Sequence, residues 1–368
     1  MRHSTYRVMI LLCAFILLLS GCGFRDIDLR LFVVSIGVDV SEKGPNVNRY
    51  SFKMAIPTGD PKSGEVKSLT VTQESESIAE AIRQVKSKVD KELDFGHCRA
   101  VLYGESYARR SIRSIQDWTV RRRDIQLLMF PGVAIPTAEA VLKIQPPTER
   151  VAGNALVLAI SEDGTESPFI TRTFAFDLNR KMREIGEDPV MPVITTEGNV
   201  LNIDRVALMD KERVKLILNP EDTRLYNMLD RRDIRTNLRT RRDGEILEMN
   251  VERSKAKYKI IDGSDGQGEI RYTIRLSGTL EEKQMEEQMT LEELKKIEEA
   301  FSQELSKDVT RLLKKIQETG LDPLGFGLRY AGTHWNNDTE MQDWERLYPQ
   351  IKFTVKVRTK IKSNFFKR

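Results

Sequence analysis

Three groups of residues in this 368-residue chain stand where side chains could do chemistry, and the first is a cysteine. Leu19-Ser20-Gly21-Cys22 closes a segment that opens with Arg2 and Arg7 and continues as the apolar run Val8 to Leu19. A positive start, a short apolar core and small residues before a cut describe a secretory leader. A Cys directly after the cut is the nucleophile that takes a diacylglyceryl group and becomes the mature N-terminus, so Cys22 is the expected lipidation site. At about 0.8 kcal/mol per buried CH2, two or more chains hold a protein on a bilayer where one does not. A transmembrane reading of the same run fails on length, because a span needs roughly 20 apolar residues.

The second group is the neighbouring pair His97 and Cys98 in Phe95-Gly96-His97-Cys98-Arg99. A thiol beside an imidazole can make a nucleophile. Adjacent residues at the start of a strand point to opposite faces, however, so the expectation is a buried Cys and a separate His at a strand end. The third is Asp322-Pro323-Leu324-Gly325-Phe326-Gly327, which resembles a glycine loop but lacks the spacing and preceding strand of a nucleotide fingerprint. A turn after a helix is its expected role. Nucleophile-elbow, phosphate-loop and zinc-helix motifs are absent from the sequence. Beyond the leader the histidines are His97 and His334, without ligand-spaced company. No catalytic residue, metal ligand or cofactor is therefore expected, and the chain reads as a non-enzyme with Cys22 as its one assigned site residue.

Composition agrees with a folded extracytoplasmic protein. Hydrophobic residues make up 40% and charged residues 31%, and no second apolar stretch approaches membrane-spanning length. The 59 Lys and Arg nearly balance the 55 Asp and Glu, and Arg2 and Arg7 leave with the leader, which argues against a nucleic-acid partner. Cys13 leaves as well and Cys22 is acylated, so Cys98 has no partner for an intrachain disulfide.

The elements that must position these groups follow from periodicity. Leu31 to Val40 and Tyr50 to Ile56 read as strands joined by the breaker-rich 41–46, and Leu69 to Thr72 as a third. A helix from Ser77 carries Ile78, Ala81, Ile82, Val85 and Val89 on one face. There follow a strand (Arg99 to Tyr103), a helix (Glu105 to about Arg122), a strand (Gln126 to Phe130) and a helix (Thr137 to Lys143). After the break at Gln145-Pro146-Pro147, Val151 to Ile160 is apolar and Thr171 to Ile185 has helical period. Pro189 to Pro192 leads into a strand. The hairpin Val206 to Met209 and Val214 to Leu218 precedes a helix capped by Asn219 with Pro220 in its first turn.

In the last third, Ile270, Tyr272, Ile274 and Leu276 alternate with Arg271, Thr273, Arg275 and Ser277. Thr290-Leu291-Glu292-Glu293 opens the longest helix, which runs to about 318 with a stripe from Leu291 to Ile316, and Gly320 stops it. Ile351 to Ile361 alternates against a lysine-rich face that protects an edge. The expected fold is α/β (α+β), with mixed sheets and packed helices in three domains: 22–145, 146–248 and 249–368 after a leader at 1–21. The basic run Arg231 to Arg242 suits anionic lipid head groups or a solvated linker. Trp335 and Trp344 are expected in the core, with partner anchoring as the other role.

The order of several short motifs resembles the Ger(x)C family of spore germination lipoproteins, the GerAC- and GerBC-like C subunits of nutrient germinant receptors in endospore formers. The residues that carry it are the lipobox ending in Cys22, Ile36-Gly37-Val38-Asp39, and Asp94-Phe95-Gly96-His97 followed by Val101-Leu102-Tyr103-Gly104-Glu105. Later come the Asp204 to Leu218 hairpin, Val251-Glu252-Arg253-Ser254-Lys255 with Ser277-Gly278-Thr279-Leu280-Glu281, the Asp322 to Gly327 string, Trp335, Trp344 and the final strand. Gly23-Phe24 stands where the family usually has a Trp after the lipidated Cys. The resemblance implies three non-catalytic α/β domains held by an N-terminal diacylglycerol on the outer face of the cell membrane, which is the inner membrane of the spore. It also implies A and B receptor subunits, both membrane proteins, as partners. The alternative class is a lipid-anchored solute-binding protein feeding a transporter, which would show two similar lobes and a hinge.

Overall fold

The computed structural model describes residues 29–56, 68–146, 154–161, 166–231, 233–242, 244–261, 268–282, 290–335 and 339–362. The leader and Cys22 lie outside the described residues. The first nine strands are β1 (Arg30–Val40), β2 (Asn48–Ala55), β3 (Ser68–Ser75), β4 (Glu92–Asp94), β5 (Ala100–Gly104), β6 (Phe130–Ile135), β7 (Val190–Glu197), β8 (Val200–Met209) and β9 (Val214–Ile217). They form one mixed sheet in the order β3-β2-β1-β5-β6-β7-β8-β9, with β4 paired to the start of β1. Its centre, β1-β5-β6-β7, is parallel and its flanks are antiparallel hairpins. Buried parallel strands read as continuous apolar runs, and β5 (Ala-Val-Leu-Tyr-Gly) is buried at every residue.

Helices α1 (Ile78–Lys86), α2 (Glu105–Ala108), α3 (Arg113–Arg121), α4 (Ala138–Lys143), α5 (Asn154–Ser161) and α6 (Ala175–Arg183) accompany this sheet. Ser77 and Thr137 cap α1 and α4 as their residue types dictate, each hydroxyl accepting from the N–H three residues on. Two expectations are corrected here. The helix expected from Glu105 to Arg122 is two pieces broken at 109–112, where Ile112 N–H turns away to bond the Glu212 carbonyl. The strand expected at Gln126 to Phe130 begins at Phe130, because Pro131-Gly132 forms part of β6 instead of ending it. Gly132 suits that place, since a Cβ there would lie 2.4 Å from the Ile194 side chain on β7.

The remaining strands, β10 (Thr236–Arg242), β11 (Glu245–Ile261), β12 (Glu269–Glu282) and β13 (Lys352–Ile361), form a second sheet in that order, with β13 parallel to β12. Helix α8 (Leu291–Gln317) packs on its inner face, burying Leu294, Ile297, Phe301, Leu305, Val309, Leu312 and Ile316. Thr290 and Glu293 form the expected capping box, and Gly320 ends the turn at φ +75°. Leu291 departs from the expected stripe: it lies ahead of the packed turns and is 66% exposed. Helices α9 (Phe326–Thr333) and α10 (Glu340–Leu347) close the unit, with Trp344 buried and Trp335 fully on the surface.

The mixed α/β class expected from periodicity is the class observed. The strands group into two sheets, so the division placed after 145 falls inside one continuous sheet and the division after 248 falls within β11. Helix α7 (Pro220–Asp230), capped by Asn219, joins the two sheets. Val190, Val206 and Leu208 of the first sheet belong to the same apolar core as Ile274, Phe301 and Phe326 of the second unit. Buried Asp222 of α7 accepts from Arg311 and Lys315 of α8, at 2.8 Å each. Burial alone would raise its pKa, but the two cations hold its carboxyl below the usual range.

Candidate functional site at the junction of the sheets

Asp322 lies where the two units meet, in the turn after α8. The turn folds locally because Pro323 follows it and Gly325 adopts a left-handed φ of +67°, a conformation suited to glycine. The buried Asp322 carboxylate accepts from the N–H groups of Phe326 (3.0 Å) and Gly327 (2.6 Å), and so caps α9. Its own N–H donates to the Asp188 carboxylate at 2.7 Å, and Asp188 N–H donates back to the Asp322 carbonyl at 2.9 Å. One further backbone bond crosses the junction, from Leu328 N–H to the Gly186 carbonyl at 2.8 Å. Gly186 and Gly327 allow that approach. A Cβ on Gly186 would lie 2.5 Å from Leu328 N, and one on Gly327 would lie 2.5 Å from the Trp344 ring nitrogen.

Charges of both signs seat the 184–188 loop. Lys211 pairs with Asp188 at 2.9 Å and donates to the carbonyls of Lys181 and Glu187. Glu187 pairs with Lys181 (3.0 Å) and Arg180 (2.9 Å), whose charges outweigh the effect of its burial and lower its pKa. Asp322 has no such cation among the described residues. Burial, with smaller contributions from Asp188 and Glu187, raises its pKa to about 7 against the pull of its two backbone donors. The string that resembled a glycine loop is thus an inter-sheet fastening, and the backbone donors of Asp322, Gly325, Phe326 and Gly327 are already used.

His97 and Cys98 are separated, one exposed and the other buried. Cys98 is buried, its Sγ donates to the Ala100 carbonyl at 3.5 Å, and burial pushes the thiol up to about 12. His97 is exposed and packs edge-on against Phe32. His334 lies in the other unit, stacked on Tyr330 at the end of α9. Among the described residues no group of three or more metal-ligating side chains converges. The basic run Arg231 to Arg242 is divided between the end of α7 and strand β10, where Arg239 pairs with Glu248. A groove between α7, β10 and α8 is lined by Arg224, Arg239, Glu221, Glu248, Glu304 and Asp308. Two of its cations are already paired within it, Arg224 with Glu221 and Arg239 with Glu248.

Several short motifs turn out to be contacts. Asp39 on β1 caps α4, accepting from Ala138 N–H (2.7 Å) and Glu139 N–H (2.9 Å), and Gly104 leaves it room, since a Cβ there would lie 2.0 Å from its Oδ1. Asp94 accepts from Gly96 N–H and from Arg30. Val251 of β11 pairs with Gly278 of β12 at a bulge between Val251 and Arg253. Distant sequence carries these contacts, and periodicity alone does not reveal them.

The comparisons with known proteins follow the same order along the chain. Residues 23–196 match the spore germination protein N-terminal domain, and residues 204–364 match the spore germination B3/GerAC-like C-terminal domain. Spore germination protein GerQC of Bacillus cereus is 22% identical over 306 residues, covering 81% of this chain and 83% of the relative. Spore germination protein B3 of Bacillus subtilis (strain 168) is 20% identical over 363 residues, covering 94% and 95%. The crystal structure of the GerBC protein superposes with a TM-score of 0.58 at 16% identity, over 89% of this chain and 97% of the other. With both halves of the family present in order and the fold shared, the chain belongs to the GerAC, or Ger(x)C, family of spore germination proteins.

Proposed function

We propose that this chain is a lipid-anchored, non-catalytic subunit of a spore nutrient germinant receptor, needed for germinant-triggered germination because it scaffolds or couples the A and B subunits. The observation that carries the reading is the ordered match of both halves of the chain to the spore germination family. The lipobox ending in Cys22 supports attachment to the outer face of the spore's inner membrane. The separation of His97 from Cys98 and the occupied donors of the Asp322 turn support a role without catalysis.

The test is Cys22→Ala in the native sporulating host, scored for membrane retention in spore fractions and for nutrient-triggered germination. Loss of the protein from membranes together with a reduced nutrient response, while a receptor-independent trigger still works, is the expected outcome. An intact nutrient response with the anchor demonstrably lost removes the tethered-subunit reading and moves a solute-binding role to first place.

A further inference from the structure

The outer face of the second sheet is a cationic surface. At the bulge after Val251, β11 takes one extra residue, and from Arg253 onward its odd-numbered side chains point away from α8. The register then lays Lys255, Arg275 and Arg358 side by side across β11, β12 and β13, with Lys257 and Lys356 flanking Thr273 in the next row and Lys259 beyond them. All six cations are exposed. None takes part in an ion pair among the described residues. Two acids of the same strands are engaged with other cations: Glu269 of β12 with Arg271 at 2.6 Å and Glu252 of β11 with Lys362. Like charges directly opposite on a sheet repel, so such rows oppose folding unless an anion covers them.

We propose that this face lies on the anionic head groups of the bilayer, orienting the protein on the membrane that its N-terminus is read to anchor. The inference rests on that membrane-tethered reading. The chemistry favours lipid over an acidic protein partner. Protein interfaces are depleted in Lys and centred on aromatic or apolar anchors, whereas the exposed large hydrophobic residues among the described residues all lie off β12, β13 and 253–259. Adjacent rows of long, exposed cations suit a fluid array of phosphates, to which each basic residue near the surface adds attraction within a Debye length.

The chain from residue 23 onward contains every described element and carries no acyl group, so its vesicle binding is independent of Cys22. Sedimentation with phosphatidylcholine vesicles is compared with vesicles containing about 30% phosphatidylglycerol. Binding to the anionic vesicles alone, abolished by raising salt to about 0.5 M, is expected. The variant K255Q/R275Q/R358Q should bind about tenfold more weakly or worse, with a thermal midpoint equal to or above that of the parent because the repulsion is relieved. A charge-matched control, Lys295→Gln, Lys307→Gln and Lys314→Gln on α8, should bind like the parent. No binding to anionic vesicles, or equal binding by the Lys255/Arg275/Arg358 variant, overturns the proposal and leaves the face for an acidic protein. Loss of germination in the Cys22 experiment with vesicle binding intact, or the reverse, separates the two readings.

Discussion

At the residue scale, a polar group counts by what it is buried against. Asp39 and Asp322 are both buried helix caps without a direct ion-pair partner among the described residues, and burial raises the pKa of each. For Asp322 the folded state holds the proton up to about pH 7, while the unfolded chain releases it near 3.8, the ordinary value for an aspartate. Its contribution to stability is therefore complete below that lower value and is lost as pH rises through about 7. The slope can reach about 1.4 kcal/mol per pH unit within the window. In urea unfolding at several pH values between these limits, the stability of the parent relative to Asp322→Asn should fall as pH rises. Parallel curves would show that the carboxyl does not titrate with folding. Asn keeps one acceptor for the α9 donors, so the variant should also lose about 1 kcal/mol of capping at every pH.

At the element scale, the second sheet depends on a bulge and a covered edge. Gly278 faces the bulge in β11, and a Cβ there would lie 1.8 Å from the Asn250 carbonyl oxygen, which is backbone and cannot rotate aside. Gly278→Ala should cost about 2–3 kcal/mol in chemical unfolding. A change within about 0.5 kcal/mol would mean that the sheet relaxes there without loss. The free edge of β13 is closed by α8: Ser302 Oγ accepts from Thr359 N–H, Glu298 accepts from Ile361 N–H, and Ser306 Oγ donates to the Val355 carbonyl. The lysine-rich alternation predicts that this strand, if at an edge, is protected from pairing with strangers. Side chains from the helix do part of that work by occupying the ladder groups that another strand would use.

At the scale of the whole molecule, the two units are held by a shared core, the charged side of α7 and the glycine contact between Gly186 and Gly327. Gly186 has φ +84°, and a Cβ there would meet the backbone of Leu328. Gly186→Ala should open this junction locally. Hydrogen exchange at Leu328 and the following amides of α9 should accelerate about thirtyfold, equivalent to ~2 kcal/mol, while the central amides of β5 and β12 keep their protection. Uniform acceleration would indicate that the units unfold together and that the contact is not a separate fastening.

The element types were legible in the chain because a strand buried on one face or both, a capped amphipathic helix and a glycine stop each have a local period or residue signature. Thr290 to Gly320 is the clearest case, and the lipobox is similarly local because its chemistry is read from adjacent residues. Pro131-Gly132 was misplaced because neighbouring strands supplied a stability that local propensity does not contain. The pairing of Asp39 with Gly104, the meeting of Asp188 with Asp322 and the row Lys255–Arg275–Arg358 were decided only by the tertiary structure. Each joins residues from separate strands or loops, and such contacts depend on strand register and shared burial, which no single segment encodes. The sequence by itself determined most elements and the mixed α/β class, and its lipobox carries the expectation of a leader and an anchor; how the strands divide into two sheets, and which charges face one another, followed from packing.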